Sequence, residues 1–152
     1  MVSALEADVE LQTSASKFLQ IFSTKTYELA TISPDIVQVL KLFLVMGHCR
    51  LLLRHQLHVR SDGMPQVAKD VVESINLIDL SAVFKVIEGD LLDVYDSFKF
   101  ILKLTPNVLS GSVVHWTMEY EKRSDDTADP TSLMKEVIQL SKDVDAHVAN
   151  LI

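Results

Sequence analysis

Three groups of residues in this chain have the chemistry to do more than fold. Cys49 lies near His48, His55 and His58, a set of thiol and imidazole donors of the kind that hold zinc. Their spacing matches no closed zinc pattern, so neither a metal nor another cofactor is expected. Ser110 sits beside Gly111, but no Gly-x-Ser-x-Gly frames it, and a turn is expected there rather than a nucleophile. The third group is a pair of apolar rows carrying Trp116 and Tyr120. Each of these brings one polar atom to an otherwise greasy wall, which suits the orientation of a small apolar ligand.

The elements that must position those rows are strands. In Ser97 to Thr105, Phe98, Phe100, Leu102 and Leu104 alternate with Lys99, Lys103 and other polar residues, the period of a half-buried strand. Ser112 to Lys122 repeats the pattern, with Val114, Trp116, Met118 and Tyr120 on one face and His115, Thr117, Glu119 and Glu121 on the other. Partners in a hairpin share a pleat, so both rows can face the same core. Such a face is either packed solid or the wall of a cavity. Catalysis would need an acid or base on that face, and the assignable inward positions carry none. His115 falls on the outward row, as a surface residue.

A chain of 152 residues suits a single domain, 1–152. A formal charge of -7 argues against nucleic acid or an anionic membrane surface as partner. The one cysteine cannot form an intramolecular disulfide, and no secretory leader is legible at the N-terminus. A cytoplasmic location is therefore expected. Ile36 to Leu53 is the most apolar stretch, but it contains Lys41, His48 and Arg50, and charges near a bilayer centre cost about 2.5–3.5 kcal/mol each, so no membrane span is expected.

Taken in order, Leu5, Ala7, Val9 and Leu11 alternate with acidic residues and Gln12 as an opening strand. Ser14 or Ser16 caps a short helix whose buried side is Phe18, Leu19, Ile21 and Phe22. A second short helix is expected around Tyr27 to Thr31, ending before Pro34. Ile36 to Arg60 fits either a strand pair turning at Gly47 or a helix. Gln66 to Ser74 and Ala82 to Glu88 read as strands, with Leu91 to Tyr95 as a link. Beyond a polar loop, Asp129 is expected as the cap and Pro130 as the first residue of a long final helix. Its stripe is Leu133, Val137, Leu140, Val144, Val148 and Leu151, with Lys135, Glu136, Lys142, Asp143 and Asp145 off it on a solvated side.

This order, together with Leu5-Glu6-Ala7-Asp8-Val9-Glu10, Val67-Ala68-Lys69, Val86-Ile87-Glu88-Gly89-Asp90-Leu91-Leu92, Gly111-Ser112-Val113-Val114-His115-Trp116 and Ser141-Lys142-Asp143, resembles the plant major latex protein branch of the Bet v 1 (pathogenesis-related class 10, START-like) superfamily. The resemblance implies an α+β helix-grip fold, with a curved seven-stranded antiparallel sheet wrapped around a long C-terminal helix and two short helices. It also implies a cavity for a small hydrophobic metabolite such as a plant hormone, in a defence or stress context, in a protein that is a monomer or weak dimer. The wall would be Phe84, Phe98, Phe100, Leu102, Val114, Trp116, Met118 and Tyr120 from the sheet, with Val137, Leu140 and Val144 from the helix. An alkaloid-pathway lyase or isomerase on the same fold is the enzymatic alternative, and a damaged relative with a collapsed cavity is another. One departure stands out: the family has a Trp-Gly-Thr-Val-Gly type of loop where Val39 to Arg60 holds the single glycine Gly47. Codons exist for Val39 to Arg50 that spell the family-like peptide in a shifted frame, so a frame change is one account of it.

Overall fold

Hydrophobic alternation, broken by turns, sets the order of elements. A computed structural model describes residues 2–23, 37–45, 48–59, 65–89, 91–107 and 111–150. They form β1 (Ser3–Leu11), α1 (Ala15–Ser23), β2 (Val37–Val45), β3 (His48–Val59), β4 (Pro65–Asn76), β5 (Ser81–Gly89), α2 (Leu91–Val94), β6 (Tyr95–Pro106), β7 (Ser112–Lys122) and α3 (Thr131–Ala149). The strands make one sheet in the order β1-β7-β6-β5-β4-β3-β2, each pair antiparallel. β2 to β7 is thus a plain meander, and β1 returns to pair with the last strand.

The ambiguous Ile36 to Arg60 stretch resolves as a strand pair. Val45 lies opposite His48 and Leu40 opposite Leu53, with one irregularity between Val37 and Val39. An apolar run of this length without caps or helical periodicity completes a sheet more readily than it stands as a helix. Leu91 to Tyr95 departs from expectation: it is a short helix followed directly by β6, not a featureless link. The second short helix expected around Tyr27 to Thr31 lies outside the described residues.

The start of α3 is also corrected. Pro130 occupies the cap position, outside the helix, and no side chain caps it. The Asp129 carboxylate is engaged elsewhere, accepting from Tyr120 at 2.8 Å and pairing with Lys122 at 2.9 Å. Two β7 side chains in reach of one carboxylate outcompeted the local amides.

The sheet must curve. The α3 backbone approaches β1 and β3 more closely than it does the described strands between them, and it also meets α1. In the strand order β1 and β3 are five spacings apart, about 24 Å in a flat sheet, whereas a helix is only about 10–12 Å across with its side chains. A helix that runs along β7, as the Ser141–Trp116 and Asp129–Tyr120 bonds require, reaches both only if the sheet wraps it.

At one end the wrapping is fixed by a cluster of polar contacts around the β1–α1 corner. The backbone N–H groups of Gln12 and Thr13 and the Thr13 hydroxyl donate to the Asp145 carboxylate at 2.8–3.1 Å. The Ser112 hydroxyl donates to the Thr13 carbonyl at 2.9 Å. Asp145 is therefore not part of a merely solvated acidic face: it satisfies amides that leave the ladder at the end of β1. Gly111 immediately precedes β7 at φ +76°, and a Cβ there would fall 2.2 Å from the Leu11 carbonyl oxygen. Both conformation and space demand glycine.

Gly111→Ala is expected to lower stability by about 1–3 kcal/mol in urea unfolding, from positive φ and backbone contact together. Asp145→Ala should cost about 2–3 kcal/mol, the loss of charge-assisted bonds to otherwise unpaired donors; an unchanged midpoint for either would contradict this account of the corner.

Candidate functional site

The eleven side chains that the sequence singles out all lie in one buried cluster. Phe84, Phe98, Phe100, Leu102, Val114, Trp116, Met118, Tyr120, Val137, Leu140 and Val144 are between 0% and 7% exposed. Register explains the assembly. Phe84 stands opposite Phe100 and Phe100 opposite Met118, while Ala82, Leu102, Trp116 and Ala7 form the next row. Residues directly opposite one another share a face, so four strands supply one continuous apolar surface, and α3 lays its stripe of Leu133, Val137, Leu140, Val144 and Val148 over it.

Two aromatic clusters bracket this surface. At the β1–α1 end, Phe22 packs edge-on to Trp116 at 5.7 Å and to Phe84 at 6.2 Å, with Phe18 behind it at 5.2 Å. At the other end, Tyr95 packs edge-on to Phe98 at 5.2 Å and to Tyr120 at 5.4 Å, and Phe98 stacks on Tyr120 at 5.7 Å. Tyr95 has no place in the sequence-derived set, because α2 ends just before it and no alternation precedes it. Phe18 and Phe22 are recognisable from sequence as a buried helix side, but not as neighbours of Trp116.

The two polar atoms on the wall are committed to the protein itself, which corrects the expectation that they stand ready to orient a ligand. Trp116 Nε1–H donates to Ser141 Oγ at 2.6 Å, and the Ser141 hydroxyl donates to the Val137 carbonyl at 2.9 Å. An indole has one donor, so Trp116 has no further hydrogen bond to give. The Tyr120 hydroxyl donates to Asp129. Burial first, then the bond to Asp129, pushes the Tyr120 phenol up to about 12. Asp129 is itself held below the usual carboxylate range by Lys122 and then by the Tyr120 bond. Tyr95 donates to the Ala128 carbonyl at 2.6 Å and is raised by burial and by nearby Asp129.

Among the described residues the buried polar side chains are Thr13, Ser112 and Ser141, all hydroxyls and all bonded. His115 stands on the outward face as expected, opposite Asp8 and bonded to Asp8 and to Glu6, the latter at 3.0 Å. Those two hydrogen bonds, Asp8 first, raise its pKa above 6.5. The Cys49 and His55 group lies where side chains are outside the described set, and among the described residues no cluster of His, Cys, Asp and Glu could hold a metal. Among the described residues no helix is long and apolar enough to cross a membrane.

A curved antiparallel sheet gripping a long C-terminal helix defines a Bet v 1-like protein. Residues 1–151 match the pathogenesis-related protein Bet v 1 family, and the chain belongs to it. It is 33% identical to MLP-like protein 43 of Arabidopsis thaliana over 97% of this chain and 94% of that one. Among solved structures, ginseng (Panax ginseng) major latex-like protein 151 superposes with a TM-score of 0.83 at 24% identity, covering 97% of each chain. A Thalictrum norcoclaurine synthase point mutant in complex with a transition-state analogue superposes with a TM-score of 0.74 at 14% identity, over 99% of this chain and 96% of that one. The same fold is thus found in an enzyme.

Ser141→Ala should cost about 1–3 kcal/mol, because the buried Trp116 N–H loses its acceptor, and a near-zero change in urea would refute that pairing. His115 gives a pH-dependent prediction. Its folded pKa lies above the unfolded 6.5, so its contribution is fully present below pH 6.5 and is lost as pH rises through the raised folded value. His115→Gln should flatten that slope in melting temperature against pH.

Proposed function

We propose that the protein binds a small hydrophobic ligand between the concave face of the sheet and α3, and that it is a carrier or sensor rather than an enzyme. The observation that carries this is the approach of α3 to β1 and β3, near the two rims of the curved sheet, more closely than to the described strands between them. A helix seated mainly near the rims would leave space for a small ligand over the middle of the concave face. There, between the two aromatic clusters, Phe84, Phe98, Phe100 and Met118 from the sheet and Val137 and Leu140 from α3 would form the wall, with Leu102, Val114 and Val144 packed beneath the α1 end. Burial of ligand surface, at about 25 cal/mol per Å², would supply most of the affinity.

Family membership supports the same use of the fold. The fully buried polar residues described above, Thr13, Ser112 and Ser141, favour binding over catalysis, since hydroxyls already bonded within the protein offer no acid or base to a substrate. With Trp116 and Tyr120 tied to α3 and Asp129, orientation of the ligand would come from shape more than from their hydrogen bonds. A plant hormone or secondary metabolite in a defence or stress response is the ligand class we infer, bound in the cytoplasm by a monomer or weak dimer.

Trp116 is the one tryptophan, so its emission reports directly on this space. Titration with flavonoids and plant hormones should give a saturable change in that emission, and Met118→Phe or Val137→Phe, which fill the middle, should weaken binding at least about tenfold while the circular dichroism spectrum is kept. Saturable binding unaffected by both substitutions would place the ligand elsewhere. Turnover of a ligand would overturn the carrier assignment.

A further inference from the structure

The β5–β6 ladder is short. It runs from Ser81 opposite Lys103 to Lys85 opposite Lys99 and stops there, although β5 continues to Gly89 and β6 begins at Tyr95. Beyond that last pair the strands part, with β6 following β7 and β5 following β4. A cleft of about 370 Å³ opens in the gap, lined by Lys85, Ile87, Leu92, Asp96, Phe98 and Lys99 among others. Ile87 is 41% exposed at its rim, and Phe98, 1% exposed, belongs to the core beneath.

Charge distinguishes this cleft from a packing defect. Two lysines face each other directly across the strands at its closed end, an arrangement that destabilises a ladder unless something negative lies between or beside them. Lys99 is compensated by Glu73 at 3.2 Å and by Glu119, which stands opposite it on β7. Among the described residues Lys85 has no ion-pair partner. The acidic group in the lining, Asp96, is paired with Arg123 Nε at 3.2 Å. An apolar lining with the ammonium of Lys85 at one end is complementary to a molecule built the same way with the opposite charge.

We propose that the β5–β6 cleft is a second binding site, separate from the space under α3, for a small amphipathic monoanion: an aromatic or short aliphatic carboxylate whose acid group meets Lys85 and Lys99 and whose apolar body lies on Ile87 and Leu92. It does not depend on the concave face being hollow.

The test is a two-dimensional amide NMR titration of the whole chain with 2-naphthoate, and in parallel with neutral 2-naphthalenemethanol. Saturable shifts at Lys85, Ile87, Ser97 and Lys99 are expected with the carboxylate, and much weaker ones with the alcohol. Lys85→Gln, at an exposed position that leaves the fold intact, should weaken carboxylate binding by about tenfold at low ionic strength and by less at high salt. Ile87→Ser should weaken it at all salt concentrations. Equal affinity for alcohol and carboxylate, or no effect of Lys85→Gln, would overturn the anion site. Shifts confined to Trp116, Met118 and their neighbours would overturn the second site while leaving the carrier function standing.

Discussion

The structure depends on how α3 is tethered along the concave face. Asp129, just before the helix, holds the Tyr120 hydroxyl; Ser141, in its middle, holds the Trp116 indole; Asp145, near its end, holds the amides of Gln12 and Thr13. From Tyr120 to Trp116 the strand covers about 13 Å, and the helix from Thr131 to Ser141 covers about 15 Å in the opposite sense. The two elements therefore run back along each other, and polar ties at matched spacing set the register that apolar contact alone would leave free. Burial supplies the attraction, because it is non-directional. Hydrogen bonds that would be costly to leave unmade select one placement.

Those ties also shape what the concave face can do. Trp116 and Tyr120 are the natural orienting groups on such a wall, and both are turned to structural use. What faces inward between the aromatic clusters is hydrocarbon, ring faces and the Met118 thioether, surfaces that pack by shape and can adjust to what they meet. An enzyme on this fold needs a titratable group in the same place. The titratable groups that the described structure holds with perturbed pKa values, His115, Asp129 and the two tyrosines, are accounted for by cross-strand and inter-element contacts.

The outer face obeys different physics. Asp8 opposite His115 and Glu119 opposite Lys99 put unlike charges side by side across strands, the arrangement that stabilises an antiparallel pair. At Lys85 and Lys99 the rule is broken, and there the ladder ends. The irregularity coincides with α2, which carries the chain from β5 to β6 over the gap. A local departure from good sheet chemistry and an opening in the sheet fall at the same place.

By itself the sequence determined the alternation of β1, β6 and β7, the inward rows Phe98 to Leu104 and Val114 to Tyr120 with their outward neighbours, the helical stripe of α3, the turn at Gly111 and, through its motifs, the family. These are local properties: a side chain's face follows from a period of two or 3.6 whatever else the chain does. The tertiary structure decided what meets across the core. That Ser141 accepts from Trp116, that Asp145 serves the β1–α1 corner and that Phe22 closes one end over Trp116 are encounters between residues far apart in the chain, and no spacing encodes them. Asp129 shows the boundary well. Sequence alone makes it a helix cap, because local amides are its nearest donors, yet folding brings Tyr120 and Lys122 within reach, and these stronger partners take the carboxylate.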